Sequence, residues 1–144
     1  MAESLTQSIS FALPKSRKLC GETTVDRLFR EGSGFSRFPL RVVYIVNDEP
    51  RKGEAPLRMM VSVGKKRFKR AVKRNRVKRL VREAWRLRMA DVEAAMKAAG
   101  VKGLHVAFVF LSNELPSFAD VDAAMAKAID KLVSAISKPA AAEV

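Results

Sequence analysis

Positive charge in this sequence is concentrated in one stretch. Thirteen of the 24 residues from Lys65 to Arg88 are lysine or arginine, and only Glu83 is acidic. This basic segment therefore carries +12, almost all of the chain's net charge of +13. Cations at this density can replace the counterions of several phosphates at once, so the chemistry expected here is the binding of a nucleic acid.

The basic segment has the spacing of an amphipathic helix. Apolar residues recur at helical intervals and gather on one side, at Val77, Leu80, Val81, Ala84 and either Leu87 or Arg88. Polar residues at i, i+4, i+7 and i+11 form a row on the opposite side, namely Asn75, Arg79, Arg82 and Arg86. At about 1.5 Å per residue this row is roughly 16 Å long, enough to reach several consecutive phosphates. Most of these side chains are arginines, whose planar guanidinium can contact a phosphate or a base edge through two hydrogen bonds.

A solvated basic face or a localisation signal is the alternative interpretation, and for short charge runs it is the commoner one. The charge density, the folded context and the single embedded Asn75 favour nucleic-acid binding here.

Two predicted strands precede the basic segment, and each has one apolar face and one mixed face. The mixed face presents Arg41 and Val43 from Phe35–Val46, and Met60 and Ser62 from Leu57–Val63. We therefore expect helices on one side of the sheet only, with the other side offered to a polar ligand. Phe29 could border this face and Lys78 could reach it, forming a groove suited to a single strand. The alternative is an ordinary exposed sheet face with Phe29 in the core.

The remaining elements complete an α/β (α+β) two-layer sandwich around a mixed sheet. A short helix from Glu22 to Glu31 ends at Gly32, where a positive φ is expected. The basic helix continues in helical composition to Ala99, and Leu104–Leu111 is apolar enough for a buried central strand. A final helix follows the capping pair Ser117 and Asp120. The order is α-β-β-α-β-α, with Pro39 a point at which the first strand could split in two.

Length and composition predict one domain. We expect a flexible arm at residues 1–14, an RNA-binding domain at 15–137 and a disordered tail at 138–144. A lone cysteine, Cys20, allows neither an intramolecular disulfide nor a cysteine-based zinc site, and His105 lies in an apolar run where a packed or surface role is expected. With no signal peptide and no apolar run of about 20 residues, a cytoplasmic protein without a membrane partner is expected.

The basic segment also matches a known signature. After Lys65-Lys66, the residues Ala71-Val72, Arg74-Asn75-Arg76, Lys78-Arg79 and Arg82-Glu83 stand in the register A-V-x-R-N-R-x-K-R-x-x-R-E. This pattern resembles the helix of the bacterial ribonuclease P protein component, and every fixed position agrees. The resemblance extends more weakly over residues 13–137. The chain departs from the family pattern in the link Arg67–Arg70, which is one residue longer, and at Ser112-Asn113, where a basic residue is frequent.

The resemblance implies an RNA-binding subunit of ribonuclease P, the endoribonuclease that removes the 5′ leader from precursor tRNA. It places the catalytic site and its Mg²⁺ on a large RNA, and implies no catalytic residue, metal site or cofactor on the protein. The catalytic RNA would be bound by Lys65, Lys66, Arg70, Arg74, Asn75, Arg76, Lys78, Arg79, Arg82 and Arg86. The precursor tRNA leader would lie in a cleft lined by Phe29, Arg41, Val43, Met60, Ser62 and Lys78. The resemblance also implies a left-handed β-α-β crossover, against the general right-handed rule.

Three other functions remain open from the residues alone. A self-sufficient nuclease would need a general base or metal ligands, and Asp48, Glu49 and Asp91 share no such motif. A DNA-binding basic zipper would need apolar heptads after Arg88, and none follow, so DNA is not expected as a partner. A ribosomal or other structured-RNA-binding protein of similar fold would be distinguished by the RNA that co-purifies with it.

Overall fold

The computed structural model describes residues 22–46 and 55–137. In these ranges the elements are α1 (Glu22–Glu31), β1 (Ser33–Arg37), β2 (Leu40–Val46), β3 (Leu57–Ser62), α2 (Ala71–Ala99), β4 (Leu104–Phe110) and α3 (Phe118–Ser137). The predicted α/β class and the element order, with the first strand split, are confirmed. The predicted arm at 1–14 and tail at 138–144 lie outside the described residues, and the domain bounds stay a prediction.

The predicted strand from Phe35 to Val46 is a pair of antiparallel strands. A turn at Phe38-Pro39 separates β1 from β2, so that Arg37 lies opposite Leu40 and Ser33 opposite Tyr44. Pro39 has no N–H to donate, but its carbonyl accepts a hydrogen bond of 2.8 Å from the backbone N–H of Leu111. This bond ties the turn to the chain that leaves β4.

The sheet has the strand order β1-β2-β4-β3 and is mixed. The β2 strand pairs with β4 in antiparallel fashion, whereas β3 pairs with β4 in parallel. β4 is therefore central, as its continuous apolar run predicts, and six of its seven residues are buried. Because β3 and β4 are parallel, the chain must cross over between them, and α2 makes that crossover. Its left-handedness stays a prediction from the resemblance.

The main core lies between the sheet and the pair α2 and α3. α3 packs along α2 and over β1 and β2, while α2 contacts β3. The largest buried side chain of α2 is Trp85, which meets the ring of Phe108 edge-on at a centroid distance of 5.4 Å. No helix in the described ranges is long and apolar enough to cross a membrane.

The buried stripe of α2 differs in part from the predicted one. Val77, Val81 and Ala84 are buried as predicted, and Leu80 is partly buried at the edge of the core. Of the two alternatives for the last position, Leu87 is 55% exposed, so a place for Leu87 in the core is wrong, and the side chain of Arg88 is 32% exposed. Trp85 takes that place because it lies four residues after Val81 on the same side and fills the space against Phe108.

The expectation of helices on one side of the sheet only is also wrong, because α1 packs on the second face. Leu28 is fully buried there against Val43 and Ala107. Gly32 makes this possible by its size rather than by a positive φ, which among the described glycines only Gly100 adopts. A Cβ on Gly32 would lie 2.5 Å from the carbonyl oxygen of Leu28 and 2.8 Å from that of Tyr44. Only glycine lets the end of α1 lie this close to β2.

Two substitutions in α2 test which side of this helix faces the core. Val81→Asp places a carboxylate in the core, where Val81 is 0% exposed, and should lower the free energy of unfolding by at least about 4 kcal/mol. Leu87→Asp adds the same charge on the exposed side and should cost less than about 1 kcal/mol. Urea denaturation measures both values. Similar large losses for the two variants would show that Leu87 belongs to the core.

Candidate nucleic-acid interface

The basic segment is anchored by one aromatic residue before it becomes helical. Phe68 is buried and stacks on Phe110 at a centroid distance of 6.1 Å. The turn before it is closed by the N–H of Arg67, which donates to the carbonyl of Gly64 at 3.0 Å. α2 then begins at Ala71 with no acidic residue in its first turn. The start of α2 is therefore fixed to the core while its charged side chains remain outside.

Six of the predicted RNA-binding side chains are exposed at the start of this segment, namely Lys65, Lys66, Arg70, Asn75, Arg76 and Arg79. None of them has a side-chain hydrogen bond or an ion pair within residues 22–46 and 55–137. The structure thus places them together along the loop and the first three turns of α2. The five cations among them therefore have no partner in these ranges that would compete with an anion.

Arg74 has a structural contact in addition to its charge. Its Nη1 donates to the carbonyl oxygens of Phe68 at 2.8 Å and Lys69 at 2.9 Å, and the side chain is partly buried. These bonds hold the link before α2 against the helix. From the sequence, Arg74 is predicted only as an RNA ligand. Its two hydrogen bonds could not be predicted, because they depend on the conformation of the link Arg67–Arg70.

The later members of the row differ in how much charge they present. Arg82 is half-buried, and desolvation lowers the pKa of its guanidinium. Arg86 donates two hydrogen bonds to Glu83, of 3.0 and 2.8 Å, and this hydrogen bonding raises the pKa of Arg86 above its ordinary value. Glu83 thus offsets the charge of Arg86, whereas Arg79 has no carboxylate partner within the described ranges.

The two departures from the family pattern meet in space. Nη1 of Arg67, in the longer link, donates to Oδ1 of Asn113 at 3.2 Å. Both residues lie at the end of the sheet where β3 and β4 finish. Sequence reasoning identified both segments but missed this contact, because the two residues are 46 positions apart.

A row of one apolar and two polar side chains lies on the second face of the sheet, at the end where β3 and β4 finish. The strand register places Arg41 beside Val109, and Val109 beside Ser62. Arg41 is exposed, and the other two side chains are half-buried. Since β3 leads from Ser62 directly into Lys65, this row lies next to the start of the basic segment.

The other residues predicted for the leader cleft are placed differently. Val43 and Met60 lie in the neighbouring row with Ala107, under α1. Val43 is only 5% exposed, because Leu28 covers it, and it offers almost no surface to a ligand. Phe29 is 43% exposed, so the alternative that buries it in the core is wrong. Lys78 is half-buried on α2, and its reach to the cleft stays a prediction.

Two polar residues on this face are buried. Arg58 is 6% exposed and His105 is 5% exposed, and they are neighbours in the β3–β4 register. His105 is thus a packed histidine, one of the two roles that its apolar surroundings predict. Within the described residues, no three His, Cys, Asp or Glu side chains are grouped so that they could hold a metal ion.

Comparison with known proteins decides the family. The family model for ribonuclease P matches residues 13–133. The chain belongs to the ribonuclease P protein family. It is 40% identical over 136 residues to the ribonuclease P protein component of Porphyromonas gingivalis, across 94% of this chain and 97% of that protein. It is 37% identical over 105 residues to the component of Chlorobaculum tepidum, across 70% and 66% of the two chains.

Solved structures of ribonuclease P proteins have the same fold. The Staphylococcus aureus protein aligns with a TM-score of 0.61 at 16% identity, over 81% of this chain and 95% of its own. The Thermotoga maritima protein aligns with a TM-score of 0.57 at 22% identity, over 81% and 96%. Membership of the ribonuclease P family gives this chain a role in the processing of tRNA 5′ ends, within an endoribonuclease complex that includes an RNA subunit.

The different environments of Arg74 and Arg79 lead to different expected stabilities. Arg74→Ala removes both hydrogen bonds to the link and should lower the free energy of unfolding by about 1–2 kcal/mol. Arg79→Ala removes one charge from the same helix but no described contact, and should change stability by less than about 0.5 kcal/mol. Urea denaturation of the two variants checks this. Equal stabilities would mean that Arg74 does not hold the link.

Proposed function

We propose that this protein binds the catalytic RNA of ribonuclease P through the basic segment, Lys65–Arg88, and the leader of precursor tRNA through the row of Arg41, Val109 and Ser62. The chemistry belongs to the RNA, which also holds the Mg²⁺. In this division of labour the protein contributes binding energy and position, and no side chain acts as a catalyst.

The binding of the catalytic RNA is supported by one observation. Six polar side chains from Lys65 to Arg79 are exposed and have no partner within the described residues. A surface whose cations were there for stability would pair them with carboxylates, as Arg88 pairs with Asp122 at 3.0 Å on the far side of the same helix. Unpaired cations in a row repel one another, and an RNA backbone relieves that repulsion by supplying a phosphate at each step.

The leader proposal rests on the mixed chemistry of the second face. Arg41 offers an exposed cation for a phosphate, while Val109 and Ser62 form a floor beside it. Phe29 on α1 is exposed, and its ring would border this face and stack on an unpaired base, which requires no particular sequence. Val43, buried under Leu28, would support α1 rather than touch the leader.

A reconstitution experiment tests the division of labour. The purified protein alone should not cleave precursor tRNA in Mg²⁺, because its described part holds no group of three His, Cys, Asp or Glu side chains that could bind a metal ion. Added to a ribonuclease P RNA, it should raise the rate of leader removal. Robust cleavage by RNA-free protein would contradict the proposal. Purification with ribosomal RNA instead of ribonuclease P RNA would favour the ribosomal alternative.

Substitutions in the proposed leader site should lower the affinity for leader-bearing tRNA selectively. Phe29→Ala should weaken the binding of leader-bearing tRNA to the holoenzyme by about fivefold or more, since one stacked base contributes about 1–3 kcal/mol. Arg41→Ala should also weaken it, because it removes the cation proposed to contact a phosphate. Affinity for mature tRNA and for the catalytic RNA should hardly change. Arg30→Ala is a matched control, because Arg30 is exposed on α1 and pairs with Glu31 at 3.6 Å. Equal losses for leader-bearing and mature tRNA would place the leader elsewhere.

A further inference from the structure

A second cationic surface lies at the opposite edge of the sheet from β3. A groove of about 720 Å³ runs between β1–β2 and α3 and is lined by Arg37, Tyr44, Lys127, Asp130, Lys131, Ser134 and Ala135. We refer to it as the β1–α3 groove. Three of its residues are cations and one is an acid, so the lining is positive overall. The basic segment contributes none of these residues.

Two of the groove's cations are held around one aromatic ring. Cζ of Arg37 lies 5.8 Å and Nζ of Lys131 lies 5.6 Å from the centroid of the Phe35 ring. Tyr44 meets the same ring edge-on at 6.2 Å, which leaves its phenol at the groove. The ring attracts each cation but cancels neither charge.

None of the three cations has an ion pair within the described residues. In the part of the chain that the structure describes, the guanidinium of Arg37 donates to the carbonyl oxygen of its neighbour Ser36, at 2.8 Å. Lys127 and Lys131 lie exposed one turn apart on α3. Asp130 lines the groove without pairing with them. Three cations kept close together beside a single carboxylate leave a net positive charge, which suits an anion with more than one phosphate.

We propose that the β1–α3 groove binds a single-stranded segment of the catalytic RNA, as a second contact separate from the basic segment. The phenol of Tyr44 supplies a hydrogen-bond donor for a phosphate or a ribose hydroxyl, and the lysines neutralise successive phosphates. This inference rests on the proposed function, because it assumes that the basic segment binds the same RNA.

The position of the groove favours the catalytic RNA over the leader. Phe35 and Tyr44 belong to the main core, on the side of the sheet that carries α2 and α3. Arg41 lies on the other side, because it alternates with Leu40 and Val42. Across three strand spacings the two edges of the sheet are roughly 14 Å apart, a distance that one structured RNA can span.

The groove is bounded at one end by negative charge. Beyond Arg37 and Lys127 a second depression of about 430 Å³ is lined by Glu114 and Asp120. These carboxylates repel a phosphate backbone, so the strand runs from Lys127 toward Ser134 and not past the turn at Phe38.

The test is a double substitution with matched controls. Lys127→Ala/Lys131→Ala should flatten the salt dependence of binding to ribonuclease P RNA by up to two units of slope. The affinity lost between about 50 and about 200 mM salt would then be smaller by about tenfold. Lys97→Ala/Lys102→Ala removes two exposed lysines at the other end of α2 and should leave the slope unchanged. Lys127→Arg/Lys131→Arg keeps both charges and should retain the wild-type slope.

Each outcome of these measurements decides the proposal. A wild-type slope for Lys127→Ala/Lys131→Ala overturns it, as does an equal change in the Lys97→Ala/Lys102→Ala control. Loss of preference for leader-bearing over mature tRNA, with unchanged binding of ribonuclease P RNA, overturns the assignment to the catalytic RNA. Arg79→Ala in the same series separates this inference from the proposed function. If Arg79→Ala weakens binding and the double variant does not, the proposal that the β1–α3 groove binds RNA is wrong, and the basic segment remains the proposed RNA site.

Discussion

Repulsion among the cations of the basic segment is the constraint on which this structure depends. Within α2, like charges stand four residues apart at Arg74–Lys78, Lys78–Arg82 and Arg82–Arg86. Each such pair destabilises an isolated helix by about 0.2–0.5 kcal/mol, so together they cost about 1 kcal/mol. Burial of one large apolar side chain contributes about 1.5–3 kcal/mol, and α2 buries Val77, Val81 and Trp85. Packing therefore outweighs repulsion, and the cations are held in a row that the isolated segment would not keep.

The balance between packing and repulsion of like charges also bears on the positions of the carboxylates of α2 and α3. Glu83 pairs with Arg86, and Asp122 on α3 pairs with Arg88 at 3.0 Å. Both pairs lie beyond the first three turns of α2, so they stabilise the helix there and leave the exposed cations from Lys65 to Arg79 unneutralised within the described ranges. The exposed residues from Lys65 to Arg79 have no such partner in the described ranges. The electrostatic cost is thus concentrated in the part of the helix that is proposed to meet RNA.

Much of this arrangement could be predicted from local sequence, and the exceptions share one physical cause. The bounds of α1, the buried β4 and the polar row of α2 follow from periodicity, because each depends on residues within a few positions of one another. The exchange of Leu87 for Trp85 in the core could not be predicted, since it depends on the position of Phe108 across the domain. Contacts between distant segments, such as Arg67 with Asn113, escape any local pattern.

Burial of Val43 belongs to the same class of exceptions. Alternation along β2 correctly separates Val43 from Val42, but it cannot show which helix covers each side. The close approach of Gly32 to β2 brings Leu28 onto Val43, and this removes Val43 from the open part of the second face, to which Arg41, Val109 and Ser62 still contribute. The β1–α3 groove is hidden in sequence for a similar reason, because Arg37 and Lys127 are brought together only by the packing of α3 over β1.

Unpaired cations also connect the fold of this protein to its partner. A ligand that binds only the folded chain stabilises it by an amount that depends on concentration, about 2.7 kcal/mol at one hundred times the dissociation constant. RNA bound along α2 would remove the repulsion between neighbouring cations while leaving the contacts of Val77, Val81 and Trp85 unchanged. Repulsion lowers the stability of the free protein, and the same repulsion would add to the affinity for RNA at the proposed site. The exposed cations from Lys65 to Arg79, which have no carboxylate partner in the described ranges, are therefore compatible with a stable domain only because the buried side of α2 is large enough to hold them in place.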